Sequence, residues 1–336
     1  MAGNVASRPS PELPRWTRRY WLAASAEERH ALSVPHRDLN ELPRALLDMV
    51  VQYVGHGVEY APARGGFSRG IVGRVVGENS AAFVKALPLT DPIAADYQYE
   101  AQVTRALPPG VASPHLILSD ECDGWVTLLF EFVDGRAPTE PWSADDLAPA
   151  LRAWRTANEL LSPAPDLPAV TVGERMAGRD DGWRLFANRG EAHGVSSSAL
   201  SSWEREHLDE LAGLESEWVA AASGPSLLHF NLRHDNFLIR PDGTAVIVDW
   251  GRACLGAAWV DPVVMALESD LPEPAAELLS SVVDLPPPKQ LGAVLAMLAG
   301  YWAWSSKGPP AGELQRRREA SHARTLAWLR ARSAKL

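Results

Sequence analysis

Leu228-His229-Phe230-Asn231-Leu232-Arg233-His234-Asp235-Asn236-Phe237, followed a little later by Ile247-Val248-Asp249-Trp250-Gly251, is the stretch on which the reading of this chain turns. A run of apolar residues leads into each motif. Asn236 follows Asn231 by five residues, Asp249 follows it by eighteen, and His229 stands two positions before it. The interval reads as two short strands, 238–240 and 245–248, joined by the turn Pro241-Asp242-Gly243. The pattern delivers amide and carboxylate side chains to the ends of short apolar strands.

A loop built for phosphoryl transfer carries His-x-Asp, an Asn five residues after that Asp, and a second Asp on the next strand that holds magnesium against the phosphates. This chain matches the spacing at every position, but Asn231 stands where the general base is expected. Such transfer asks little covalent chemistry of the protein. It needs phosphates held still, charge neutralised and an acceptor hydroxyl aimed in line. Each part can be sought elsewhere in the chain.

Composition sets the bounds. With 336 residues, 46% of them hydrophobic, the chain can bury a large core and divides into two lobes or two domains. A net charge of −10 argues against a nucleic-acid partner and suits small molecules. Cys122 and Cys254 lack CxxC spacing, which points to buried thiols in a reducing compartment. No apolar run is long enough to span a membrane and the amino terminus lacks a signal pattern, so the expected location is the cytoplasm.

Outward from the motifs, the first fifteen residues, with Pro9, Pro11 and Pro14, read as a surface arm. Leu42, Leu46, Leu47, Val50, Val51 and Val54 predict a helix over 39–54 that ends at Gly55. Strands are expected at 70–76 and 81–87 around Gly77-Glu78-Asn79-Ser80, then a helix over 91–107, then strands at 115–119 and 125–133. After Asp134-Gly135 helices take over, notably at 144–161 and 197–222. The expected class is α+β, with an N-terminal arm and extension at 1–38, a small β-rich nucleotide-binding lobe at 39–134 and a larger helical catalytic and acceptor-binding lobe at 135–336.

Candidate parts fall within this frame. The loop Gly65-Gly66-Phe67-Ser68 lets backbone N–H groups approach a triphosphate, because glycine sets no Cβ barrier. Lys85, near the end of an apolar strand, can reach phosphates, and Glu100 on the next helix can hold it as an ion pair. The run 128–133, including Glu131 and Val133, reads as a strand entering an interlobe hinge whose backbone can meet an adenine edge.

Taken in order, Gly65-Gly66-Phe67-Ser68, Phe83-Val84-Lys85, His229-Phe230-Asn231 with Asn236, Val248-Asp249-Trp250 and Gly256 with Trp259-Val260-Asp261-Pro262 resemble the aminoglycoside phosphotransferase family of small-molecule kinases, over residues 40–300. The resemblance implies a two-lobed protein-kinase-like fold. It also implies Asn236 and Asp249 as magnesium ligands, Lys85 on the phosphates, Asp261 bracing the catalytic loop and His229 holding its backbone. ATP is the implied donor, and GTP stays open because hinge hydrogen bonds come from backbone. Acceptors in such a family are aminoglycosides, other antibiotics, choline-like alcohols and sugars.

The departure is Asn231. An amide can accept a hydrogen bond from the acceptor hydroxyl, but it is neither charged nor basic. Asp235, four positions on, is the nearest carboxylate and is expected to point elsewhere. His229 and His234 lack a third ligand for zinc. Trp142, Trp154 and Trp183 either wall an acceptor pocket or fill the core. Acidic Glu174, Asp180, Asp181, Glu191 and Glu204, interleaved with Arg175, Arg179, Arg184 and Arg189, suit a neutral or weakly charged acceptor at least as well as an aminoglycoside, and the chain ends in a basic stretch from Arg316 to Lys335. The expected function is Mg-ATP-dependent transfer to a hydroxyl of a small molecule, with antibiotic inactivation as the leading role, in a form impaired or altered by Asn231. The alternative is a catalytically inactive pseudokinase that binds nucleotide or ligand.

Overall fold

The computed structural model describes residues 37–63, 70–140, 142–189, 200–268, 284–306 and 313–333. The proline-bearing arm and the loop Gly65-Gly66-Phe67-Ser68 lie outside them. Along β3 (Ala81–Pro88) side chains alternate between two cores: Ala82, Val84 and Ala86 face one, Phe83 and Leu87 the other. β5 (Trp125–Glu131) does the same, with Leu129 opposed to Val126, Leu128 and Phe130. That period of two is what a sheet covered on both faces requires. The sheet is antiparallel and runs β1 (Glu59–Pro62), β2 (Ile71–Val76), β3, β5, β4 (Leu116–Cys122). Helix α1 (Arg44–Val54) covers one face through Leu46, Val50 and Val54, a spacing of four that lines one side of a helix. Helix α2 (Ala94–Ala106) covers the other through Ala94, Tyr97 and Ala101.

Three local expectations change. The single helix over 39–54 is a 3₁₀ turn, Leu39–Glu41, capped by Asp38, followed by α1. Pro43 separates them because it has no amide hydrogen and forces Leu42 into extended backbone. Strand β1 carries no sequence signal, being a four-residue edge strand with its side chains mostly exposed. β4 continues to Cys122, so the turn shrinks to Asp123-Gly124, both at positive φ as a two-residue hairpin demands.

Beyond β5 the chain crosses to the helical half, and Arg136 is fastened there twice. Its backbone exchanges hydrogen bonds with Ile239 at 3.0 and 2.7 Å, and its guanidinium grips buried Asp146 of α3 (Ala144–Leu160) at 2.6 and 3.2 Å. That hydrogen-bonded pair holds the Asp146 carboxyl at about 2. Two antiparallel pairs, β6 (Ser226–Leu228) with β9 (Cys254–Gly256) and the hairpin of β7 (Phe237–Ile239) with β8 (Ala245–Ile247), carry the diagnostic stretch. The remainder is helical: α4 (Val172–Met176), α5 (Gly182–Arg189), α6 (Ser202–Glu206), α7 (Leu208–Ser216), α8 (Trp218–Ala222), α9 (Val260–Glu268), α10 (Pro288–Ser305) and α11 (Glu313–Ser333). The helix expected over 197–222 is thus three short ones. No proline or glycine marks the breaks at His207 and Glu217, so helical spacing reads through them.

Helix α10 is buried from Leu291 to Gly300 on every side, as a central helix must be. It meets α5 at backbone contact: a Cβ on Gly182 would run into the carbonyl of Gly300. Trp142, Trp154 and Trp183 are all buried and fill core. Among the described residues no helix is long and apolar enough to cross a membrane.

Glu215, fully buried, caps α5 by accepting hydrogen bonds from the amides of Trp183 at 3.0 Å and Arg184 at 3.1 Å. Burial pushes its carboxyl up to about 7 in spite of those amides and the Arg184 guanidinium. The folded state therefore holds an extra proton between the unfolded value of 4.5 and about 7. The resulting stabilisation is complete below 4.5 and is lost as pH rises through 7. Glu215→Gln should flatten the decline in unfolding free energy over that window, a decline on the order of 2–3 kcal/mol. Urea denaturation of both proteins across the window measures it, and an unchanged slope in the variant would refute the assignment.

Candidate active site

Alternation along β3 puts Lys85 on the α2 face of the sheet, opposite Val72 and Leu128. There the ammonium forms an ion pair with Glu100 of α2, which is 2% exposed, and reaches Asp249 Oδ1 at 2.9 Å. The ring of Tyr97, one turn before Glu100, lies 4.8 Å beneath it. Burial works against the Lys85 charge, but the Asp249 and Glu100 carboxylates hold the ammonium well above its ordinary range. Burial raises the Glu100 carboxyl in turn, against the pull of Lys85. Asp249 resists desolvation through the same ammonium, which keeps it at about 2.

Helix α2 is fastened to the other half of the molecule as well. Asp96 lies 3.5 Å from Arg252 and 3.9 Å from Arg175, and Tyr99 donates its hydroxyl hydrogen to the Ala253 carbonyl at 2.9 Å. These contacts set where Glu100 stands relative to Asp249. Scattered over three segments of the chain, they left no mark in the sequence.

The loop between β6 and β7 is held by its backbone. Asp261, in the first turn of α9, is 3% exposed and accepts the amides of His229 at 2.7 Å and Phe230 at 2.8 Å. Burial pushes its carboxyl up to about 6, opposed by those two amides. Phe230 sits at φ 60 and Asp249 at φ 68, left-handed backbone that costs a non-glycine residue about 1–2 kcal/mol. His229 is 1% exposed, and burial lowers its pKa to about 4, so the ring is neutral. Its Nε2 lies 2.9 Å from the Val248 carbonyl, which can only accept, so Nε2 carries the hydrogen and ties the loop to the strand before Asp249.

The residues singled out at the loop are brought together. The Asn236 side-chain amide donates to the Asn231 carbonyl at 2.7 Å, which turns Asn236 Oδ1 away; among the described residues that oxygen accepts no hydrogen bond. Asp249 spends Oδ1 on Lys85, and its side chain remains 47% exposed. The Asn231 side chain has no partner among the described residues. Asp235 is not at hand as a substitute base: Arg233 grips it at 3.0 and 2.6 Å, and Arg317 of α11 lies 3.8 Å away. Arg317 also contacts Glu140 at 3.3 Å, and Glu140 meets His234 at 3.2 Å, so the basic C-terminal helix runs alongside the loop. At the hinge, Glu131 donates its amide to the His115 carbonyl at 2.9 Å. Buried Val133 makes no backbone hydrogen bond among the described residues.

The acidic residues considered for the acceptor are drawn elsewhere. Glu174 caps α4 through Thr171, Asp180 accepts Trp218 Nε1 at 3.0 Å, and Glu204 meets His322 at 2.9 Å. Glu191 lies outside the described residues.

Residues 60–285 match the phosphotransferase enzyme family. No curated protein matches the chain. Among solved structures, choline kinase LicA from Streptococcus pneumoniae is 13% identical, with 85% of this chain and 99% of that one covered at a TM-score of 0.53. Aminoglycoside phosphotransferase APH(4)-Ia is 12% identical over 85% of this chain and 98% of its own, at 0.56. A thermostable mutant of that enzyme, in ternary complex with AMP-PNP and hygromycin B, is 12% identical over 87% and 99%, at 0.57. Likeness at this level is likeness of fold: a small sheet lobe on a larger helical one.

Asp261→Ala would leave the buried amide of His229 and the half-buried amide of Phe230 without an acceptor and release Phe230 from its left-handed conformation. The expected loss is about 2–4 kcal/mol of unfolding free energy. Denaturant titration checks it, and a loss under about 0.5 kcal/mol, the scale of surface substitutions, would show that the carboxylate is not what holds the loop.

Proposed function

Because the chain belongs to the phosphotransferase enzyme family, we propose that it transfers the terminal phosphoryl group of Mg-ATP to a hydroxyl of a small molecule, at a rate limited by Asn231. The observation that carries this reading is the meeting of Lys85, Glu100 and Asp249 with the Asn236–Asn231 loop. One lobe brings a cation paired with Glu100, and the other brings Asp249 to that cation and Asn236 to the Asn231 carbonyl.

Magnesium suits the side-chain oxygens of Asn236 and Asp249. It is a hard cation that takes one or two protein ligands and fills its remaining positions with water and substrate phosphates. Asn236 Oδ1 and the half-exposed Asp249 carboxylate would hold it. When bound it neutralises phosphate charge and steadies the leaving group. Lys85 would bind phosphate oxygens, with Glu100 and Tyr97 fixing its direction. The Val133 backbone supports an adenine contact, and the assignment of Gly65, Gly66, Phe67 and Ser68 to the phosphates rests on sequence pattern.

Asn231 would orient the acceptor hydroxyl by accepting its hydrogen, without taking the proton. The engagement of Glu174, Asp180 and Glu204 by partners within the chain favours a neutral or weakly charged acceptor, such as a nucleoside- or sugar-containing antibiotic, over a polycation.

Transfer from radiolabelled ATP to a panel of hydroxyl-bearing antibiotics, sugars and choline tests the reading. Asn231→Asp should raise the rate by about 10² to 10⁴, the usual contribution of a general base. Equal rates in the two proteins would remove Asn231 from the base position. Tight Mg-ATP binding with no transfer in either protein would favour a nucleotide-binding pseudokinase.

A further inference from the structure

Two buried side chains beneath the loop each keep one polar atom without a partner in the chain. His229 is 1% exposed and Trp250 2%, and their rings meet edge to face with centroids 4.8 Å apart. Because Nε2 of His229 carries the hydrogen and gives it to the Val248 carbonyl, Nδ1 bears a lone pair. Neither that nitrogen nor the indole N–H of Trp250 takes part in a hydrogen bond among the described residues. One is an acceptor and the other a donor. Polar groups this deeply buried are as a rule satisfied, by protein or by ordered water.

Both residues line one small cavity, together with Asp261, Asn158, Leu232 and Ile247. Its volume is about 10 Å³, at the lower end of the roughly 10–15 Å³ that a single water needs, and far below what any larger ligand fills. Apolar cavities stay dry, whereas a water held in the interior makes about three hydrogen bonds. Asp261 offers the third. Its two oxygens each take one amide, from His229 and from Phe230, and a carboxylate oxygen can accept more than one hydrogen. One donor and two acceptors are what a water molecule, with two hydrogens and a lone pair to spare, can match.

We propose that this cavity binds one internal water, and that through it Trp250 is a positioning residue of the loop. The water accepts the indole hydrogen of Trp250 and donates one hydrogen to His229 Nδ1 and the other to Asp261. Trp250 follows Asp249, and His229 stands two positions before Asn231, so the bridge joins the two halves of the diagnostic stretch through side chains. With both ring nitrogens engaged, the His229 ring cannot turn without breaking two hydrogen bonds. The same water holds the Asp261 carboxylate from a second side, opposite the amides it fixes. This concerns the shape of the loop and stands apart from the phosphotransferase reading.

A crystal structure of the full chain, refined to the point where single waters are seen, should show one within about 2.7–3.2 Å of both nitrogens. In solution the Trp250 indole hydrogen should show a nuclear Overhauser effect to a long-lived water. Trp250→benzothienylalanine keeps the shape of the indole and puts sulfur in place of the N–H. It should displace the water and speed exchange of the His229 and Phe230 amide hydrogens about tenfold, the scale of one lost hydrogen bond, while the Leu128 and Leu129 amides of the sheet exchange as in the native chain. A dry cavity, or an indole N–H bonded straight to His229 Nδ1, would overturn the water site. Unchanged loop exchange in the variant would overturn the role of Trp250. Equal acceleration in loop and sheet would overturn it too, and make Trp250 a core-filling residue.

Discussion

One ammonium group, that of Lys85, belongs to both halves of the molecule. It stands on a strand of the sheet, pairs with Glu100 on the helix packed against that sheet, and reaches 2.9 Å to Asp249 in the helical half. Taking such a charge out of water is costly unless each cation is matched and hydrogen-bonded. The match is available only when α2 and the strand before Asp249 are both in place. The contacts of Asp96 with Arg252 and of Tyr99 with the Ala253 carbonyl hold α2 in the required position. The geometry of the site is thereby a condition of the fold as much as a result of it.

The loop obeys a second logic, in which backbone carries the structure and side chains are left for chemistry. Asp261 takes up two amides, His229 joins the loop to the next strand, and Asn236 holds the Asn231 carbonyl. None of these contacts involves the side chain at 231. Two left-handed residues, Phe230 and Asp249, mark where the chain is bent away from its preferred conformations to aim the neighbouring side chains. Such strain persists only where the surroundings over-determine the backbone.

Much of this was legible in the sequence, and for identifiable reasons. The alternation of Ala82, Val84 and Ala86 with Phe83 and Leu87 places Lys85 on one face of a strand, and the spacing of Asn231, Asn236 and Asp249 survives folding because short strands and tight turns leave little slack between them. What escaped was whatever depends on partners far apart in the chain. Glu215, Glu204 and Asp180 look like solvated helix charges, yet each is bound to a residue more than thirty positions away. The breaks at His207 and Glu217 escaped because helical periodicity is indifferent to a one-residue kink. Arg317 escaped because nothing local in α11 says which loop it will lie beside.

The indifference of the loop to the side chain at 231 has a consequence for heredity. Asn and Asp codons differ by a single base, and the contacts that residue 231 gives this loop among the described residues, from the Asn236 side chain and the Arg233 amide, are to its carbonyl, which both residues share. A gene can therefore pass between the two forms in one step without an intermediate whose folding is compromised. On the proposed role of position 231, selection there would act on chemistry alone, and a base could be gained or lost without cost to the fold.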